Sequence, residues 1–291
     1  MSDRVYLNGK FIDKEKAAIS PDDRGFYFAD GVYEVIRCFK GNFFCFEEHI
    51  SRLKSSLSKI RISYNGIDKL SSICKELIVN NNLENKYANV YLQITRGVSK
   101  RTHNFPGKDI SPTIYIIANE KPPNKDKSKK GIKAITQTDI RWLRCDIKSI
   151  ALLPNTLLFQ EAIEKNAGEC IFIRDGVITE ASHSNVMGVK TGVLFTHPDN
   201  NLILPGITKR FVFQICNDLG IYVKETPIGN EDIYSLDELF IMSTGDDITP
   251  VIQLDDTKIN NGMPGPMTRQ IQREFFKNTY KKLAGEKNPW F

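Results

Sequence analysis

The chain of 291 residues has room for one large or two ordinary domains. With 41% hydrophobic and 26% charged residues it can bury a sizeable core, which excludes a disordered, collagenous or coiled-coil chain. Its 40 basic against 35 acidic residues leave a net charge of +5, too small an excess for general binding to nucleic-acid phosphates.

The N-terminal segment begins with two hairpin signals. VYLNGKFI turns at Asn8-Gly9, and VYEVIRCFKGNFFCF turns at Lys40-Gly41-Asn42 between aromatic and β-branched runs. Phe46, Ile50, Leu53, Leu57 and Ile60 then recur at spacings of four and three, which predicts one buried helical stripe. Leu70, Ile73, Leu77 and Ile78 predict a second. Val90, Leu92 and Ile94 alternate, and TIYIIA from Thr113 to Ala118 is a short apolar run; both predict strands closing an α+β domain over residues 1–118.

The dense basic stretch Lys121–Lys130 contains Pro, Asn and Asp and no aromatic, so it reads as a solvated linker over 119–131. Strand signals dominate the larger domain expected over 132–291: IKAITQT, ECIFIRDGVIT turning at Asp175-Gly176, NVMGVKTGVLFTH turning at Thr191-Gly192, and ELFIMST. Helices are predicted near Asn155–Asn166, Thr208–Leu219 and Pro266–Leu283, with Gly220 as a left-handed cap. The apolar runs are too short to span a bilayer, which takes ~20 residues, and MSDRVYLNGK lacks a signal-peptide core. Cytoplasm is the expected compartment. Six cysteines scattered without CxxC pairs read as reduced thiols, with neither disulfides nor a metal site expected.

Four stretches carry residues suited to chemistry. In LPGITKRFVFQICNDLG a Pro-Gly turn delivers Ile207 and Thr208 to a helix start, whose unpaired N–H groups suit a phosphate; Thr208 also reads simply as an N-cap. In MSTGDDITP, Ser243, Thr244 and Gly245 follow an apolar strand, as an anion-binding turn or as a plain turn. Lys148 sits among Ile147, Ile150, Ala151 and Leu152, where it either snorkels or is desolvated into a nucleophile. Glu180 ends an apolar strand, either exposed or as the partner of a pyridinium nitrogen.

In chain order, Lys148, ITEASHSN, LPGITKR, the strand-end Ser-Thr-Gly and ITPV resemble the fold-type IV family of pyridoxal-phosphate enzymes. DRGFYFADGVYEV and FEEHISRL extend the resemblance over nearly the whole chain. It implies a two-domain α+β fold with a small N-terminal and a larger β-rich C-terminal domain. By this resemblance the cofactor is pyridoxal 5'-phosphate, Lys148 is its Schiff-base lysine and Glu180 the partner of its ring nitrogen. Arg52, Ile207, Thr208, Ser243 and Thr244 are the implied phosphate contacts.

Within the family, QITRGVSKRTHNFP and IRWLRCDIKS are most similar to the D-amino-acid aminotransferase subgroup. There an Arg-x-His pair and a tyrosine trap the substrate α-carboxylate, matched here by Arg101, His103 and Tyr33. The subgroup further implies a homodimer in which Arg101 and His103 serve the neighbouring subunit. Two departures stand out: His183 where the subgroup has Ser, and Gly245 where it has Thr. His49 and His197 read as structural or surface residues. The expected activity is transfer of an amino group from a D-amino acid such as D-alanine to 2-oxoglutarate. The alternatives are an L-branched-chain aminotransferase, aminodeoxychorismate lyase, and a non-catalytic binding protein on the same scaffold.

Overall fold

The computed structural model describes residues 3–107 and 109–287. The chain divides into two units: Met1–Pro122 with Ile147–Ala151, and Pro123–Asp146 with Leu152–Phe291. The continuous 132–291 segment expected from sequence is therefore interrupted, because the five residues around Lys148 belong with the first unit.

In the first unit, β1 (Arg4–Leu7), β2 (Lys10–Asp13), β3 (Gly31–Phe39), β4 (Asn42–Phe43), β5 (Tyr87–Thr95) and β6 (Thr113–Glu120) form an antiparallel sheet ordered β2-β1-β6-β5-β3-β4. Asn8-Gly9 and Lys40-Gly41 each have positive φ at both positions, the conformation that lets a two-residue turn match the strand twist. Between β2 and β3 lies a single-turn helix, α1 (Arg24–Phe28), too short to leave a periodic signal; the Asp23 carboxylate caps it by accepting from Gly25 N at 2.7 Å. After β4 come α2 (Phe46–Lys59) and α3 (Leu70–Asn80), matching the predicted stripes. Ile50, Leu53 and Leu57 of α2 and Leu70, Ile73 and Leu77 of α3 bury against Val32, Ile36, Val90, Leu92 and Ile116 of the sheet. Burying one such side chain is worth ~1.5–3 kcal/mol.

The second unit carries α4 (Lys125–Lys130), β7 (Ile132–Thr138), α5 (Leu153–Glu164), β8 (Glu169–Arg174), β9 (Val177–Ala181), β10 (Asn185–Lys190) and β11 (Val193–Thr196). It continues through α6 (Ile207–Asp218), β12 (Val223–Glu225), β13 (Glu238–Ser243), β14 (Asp247–Leu254), β15 (Thr257–Lys258), α7 (Pro266–Phe276) and α8 (Lys282–Ala284). Its nine-stranded sheet runs β12-β11-β10-β13-β14-β7-β8-β9, with β15 beside β14. The pairs β11·β12, β14·β7 and β7·β8 are parallel.

Three local features depart from the sequence reading. β14 contains Pro250 yet lies inside the sheet; proline lacks a ladder donor, so DITP reads as a turn until its long-range partners are known. The basic stretch is more than a linker: α4 forms behind an Asn124 cap, and its Ser128 carbonyl accepts from Arg269 at 2.8 Å and from Gln272 at 3.0 Å. The last predicted helix is broken after Phe276 by a π turn over Lys277–Lys281.

Glu238 of β13 is a long-range cap for α7. It is 4% exposed and accepts from Met267 N at 2.9 Å, Thr268 N at 2.7 Å and Thr268 Oγ1 at 2.6 Å. Replacing it strands those donors out of water. Glu238→Ala is expected to lower stability by ~2–3 kcal/mol, seen as a lower urea midpoint at unchanged slope.

Candidate active site

Lys148 is fixed by its main chain. Its carbonyl accepts from Tyr33 N at 3.0 Å, its N–H donates to Ser56 Oγ at 3.2 Å, and Ser149 forms a bridge with Val32 of β3. The half-buried side chain places its ammonium 4.3 Å from the centre of the Tyr33 ring. Tyr33 in turn stacks on Tyr91 of β5, with ring centres 5.6 Å apart.

On the inner side of the same strand, Glu34 is fully buried. It takes two bonds from Arg52 of α2, from Nε and Nη2 at 2.7 Å each, and a third contact from His49 Nδ1 at 2.8 Å. Burial alone would raise the Glu34 pKa, but Arg52 and His49 outweigh it and hold the carboxyl down at about 2. Burial lowers the His49 pKa below the usual imidazole value. Glu34 and this role of His49 escape sequence reasoning, because the partners lie 15 and 18 residues away and alternation alone does not distinguish a buried acid.

Arg101 and His103 lie in the β5–β6 connection and are exposed. Their described contacts are with α1 rather than Tyr33: Arg101 stands over the rings of Tyr27 and Phe28, at 5.8 and 5.2 Å, and His103 packs on Phe28 at 5.6 Å. The carbonyl between them, on Thr102, accepts from the buried Arg24 at 2.7 Å. Arg24 is held at 2.8 Å by Asp30, which also takes two bonds from Arg96 at 2.7 and 2.9 Å.

In the second unit Glu180 is the penultimate residue of β9, at 5% exposure. Arg141 donates to one oxygen; Asn185 Nδ2, at 3.1 Å, and Leu204 N, at 3.0 Å, donate to the other. Arg141 also grips Asp139 at 2.8 Å, and Asp139 meets Arg174 at 3.0 Å. Burial raises the Glu180 pKa above the ordinary value, against the pull of Arg141. Arg141 and Asn185 are the side chains that hold Glu180, and neither stands out in the sequence.

Ile207 and Thr208 open α6 and are both buried; Gly206 caps the helix without a side-chain bond. The first intrahelical donor described is Arg210 N, to Gly206 O at 3.1 Å, so the preceding N–H groups face outward from the helix end. A Cβ on Gly206 would lie 1.9 Å from Asn185 Oδ1, which ties the helix start to the Glu180 cluster. Ser243 ends β13, and its hydroxyl accepts from Asp246 N at 3.1 Å; Thr244 and Gly245 follow in the turn. A Cβ on Gly245 would meet only Ser243 Oγ, at 3.9 Å, so the turn is open where a side chain is missing. The described cysteines are all free, and among the described residues no cluster of acidic, His and Cys side chains suits a metal.

The sequence pattern of the amino-transferase class IV family matches residues 31–254. A D-alanine aminotransferase of Staphylococcus haemolyticus is 41% identical over 275 residues, 94% of this chain and 97% of that protein. The branched-chain amino acid aminotransferase of Escherichia coli superposes with a TM-score of 0.89 at 28% identity, covering 99% and 97% of the two chains. The branched-chain enzyme of Thermobaculum terrenum, solved in its PLP-bound holo form, shares the fold at a TM-score of 0.86 and 24% identity, over 97% and 95%.

Two outcomes follow from the buried ion pairs. Arg141→Met leaves two buried carboxylates short of their cation and is expected to cost ~3–5 kcal/mol in urea unfolding. Because the Glu34 pKa is lowered from 4.5 to about 2, its stabilising contribution is complete above pH 4.5 and fades as pH falls toward 2. Urea midpoints of Glu34→Gln measured across that window should therefore fall less steeply with acid than those of the unaltered protein.

Proposed function

The chain belongs to the class IV aminotransferase family, and from that membership we propose that it is a D-alanine aminotransferase, passing the amino group of D-alanine to 2-oxoglutarate. The observation that carries the substrate reading is the 41% identity to a D-alanine aminotransferase over almost the whole of both chains. The fold is the two-domain α+β fold of fold-type IV enzymes, and the cofactor is pyridoxal 5'-phosphate.

Each unit, taken by itself, carries donors that suit that cofactor. Lys148 offers an amine for its aldehyde, on a backbone that cannot drift. Glu180 offers a buried carboxyl of raised proton affinity for its ring nitrogen. The start of α6 at Ile207 and Thr208, which has no side-chain cap, the Ser243–Thr244 turn and Arg52 offer N–H, hydroxyl and guanidinium donors for its phosphate. When bound, pyridoxal 5'-phosphate supplies an electron-withdrawing ring that accepts the electron pair left on the substrate Cα.

The protein's own groups do the rest. Lys148 would hold the cofactor through its amine and, once the amino acid has taken its place, would serve as the acid-base group for the proton at the substrate Cα; acid-base help of this kind is worth about 10² to 10⁴-fold. Glu180 keeps a proton at the ring nitrogen. Glu34 aims the guanidinium of Arg52 by holding two of its nitrogens. Tyr33, with Arg101 and His103 contributed from the partner of a homodimer, fixes the substrate α-carboxylate and thereby which bond at Cα breaks. Arg24, through the Thr102 carbonyl, holds the Arg101–His103 segment in shape. Among the described residues no helix is long and apolar enough to cross a membrane.

The solved neighbours support a second reading, an L-branched-chain aminotransferase, at lower identity. Donor profiling separates the two: D-alanine with 2-oxoglutarate should give D-glutamate and pyruvate, while L-leucine gives little turnover. Strict preference for L-leucine would overturn the assignment, and pyruvate released from aminodeoxychorismate would favour the lyase. Lys148→Ala should lose at least about 10²-fold in kcat, and Arg101→Ala should raise the KM for D-alanine by about tenfold or more.

A further inference from the structure

Beside the cofactor contacts assigned above, His183 occupies a position that none of the roles so far uses. It sits between β9 and β10, 42% exposed, with its ring edge-on to Phe159 of α5 at 5.0 Å. Its two nitrogens reach acids from different elements. Nδ1 is 3.3 Å from Glu169 Oε2 of β8 and 2.9 Å from Ser182 Oγ; Nε2 is 3.3 Å from Asp246 Oδ2, in the turn that follows Ser243 and Thr244. Glu169 has no exposure at all. The other donors to it are neutral: Cys170 N at 2.9 Å, Ser184 Oγ at 3.0 Å and the Ser182 hydroxyl. Among the described residues, His183 is the basic side chain in contact with this buried carboxylate.

We propose that His183 is a positioning residue that clips the Ser243–Thr244 turn to the buried Glu169, so that the turn's hydroxyls are preset for the cofactor phosphate. The far end of the clip is well placed for this. Asp246 donates its N–H to Ser243 Oγ and accepts from Thr249 Oγ1 at 2.9 Å through its carbonyl, so its side chain and the Ser243 hydroxyl belong to one short rigid turn. Gly245 makes a clip necessary: without a side chain the turn has more backbone freedom, and a Cβ there would have only one neighbour within 4 Å.

The clip is charge-dependent. Burial disfavours the imidazolium, and Lys127 of α4, 3.8 Å from Asp246 Oδ1, opposes it as well; Glu169 and Asp246 outweigh both and raise the His183 pKa above 6.5. A raised pKa means that the charged bridge is complete at and below the usual imidazole range and is lost as pH rises through the raised value.

The proposal rests on the assignment of Ser243 and Thr244 to the phosphate, and the test separates the two. Full-length protein is equilibrated with pyridoxal 5'-phosphate and, separately, with pyridoxal, at about pH 6.5 and about pH 8.5, and bound cofactor is read by absorbance. His183→Gln keeps hydrogen-bonding groups and removes the charge. It should weaken pyridoxal 5'-phosphate by about tenfold at the lower pH and by clearly less at the higher, while leaving pyridoxal unaffected. Equal binding of pyridoxal 5'-phosphate by His183→Gln and the unaltered protein at both pH values would overturn the clip, as would equal weakening of both cofactors. Ser243→Ala reports on the underlying assignment: selective loss of the phosphorylated cofactor upholds it, whatever His183→Gln does, and equal loss of both refutes it.

Discussion

The pairing of Ile147–Ala151 with β3 is the constraint on which the proposed chemistry of Lys148 depends. A lysine on a long flexible stem is a poor catalyst unless its backbone is fixed, and here it is fixed on both sides: the Lys148 N–H and carbonyl are both bonded, and Ile150 N donates to Gly31 O at 3.2 Å. The approach is close enough to require glycine at 31, where a Cβ would fall 2.8 Å from Ile94 O and 3.0 Å from Ile150 Cδ1. β3 itself cannot shift, because Val32 and Ile36 are fully buried under α2 and α3. Core packing is thereby transmitted to a single amine.

A second constraint is electrostatic. The first unit buries Glu34 against Arg52 and His49, and holds the partly buried Asp30 between Arg24 and Arg96; the second buries Glu180 and Asp139 against Arg141 and Arg174. Buried pairs of this sort add little net stability over apolar packing, since desolvation offsets much of the attraction. What they provide is fixed charge in a medium of low polarisability, which suits the role proposed for Glu180 of holding a ring nitrogen protonated without moving. The burial-raised pKa of Glu180 and the strongly lowered pKa of Glu34 show one residue type tuned in opposite directions by surroundings.

Much of this was legible in the sequence where the cause is local. The Asp175-Gly176 turn takes positive φ at both residues, as that pair favours, Thr191-Gly192 does so although a β-branched residue resists it, and α2, α3, α5 and α6 follow apolar spacing to within two residues. Lys148 and Glu180 stood out through the resemblance of their flanking motifs. Less legible were features made by distant partners. Arg141 meets Glu180 across 39 positions, β14 keeps its proline because both neighbouring strands hold it, and Lys148 leaves one unit for the other without a break in composition. His183 was visible only as a departure from a pattern; its meaning needed Glu169 and Asp246, neither of which its own segment predicts.

The central claim is that Lys148 carries the cofactor. Borohydride reduction of the holoenzyme followed by peptide mass spectrometry tests it directly, since reduction makes the bond permanent. The account predicts the phosphopyridoxyl mass on the peptide containing Lys148. Its appearance on another lysine, such as the buried Lys209, or its absence from every peptide of a fully loaded protein, would contradict the account.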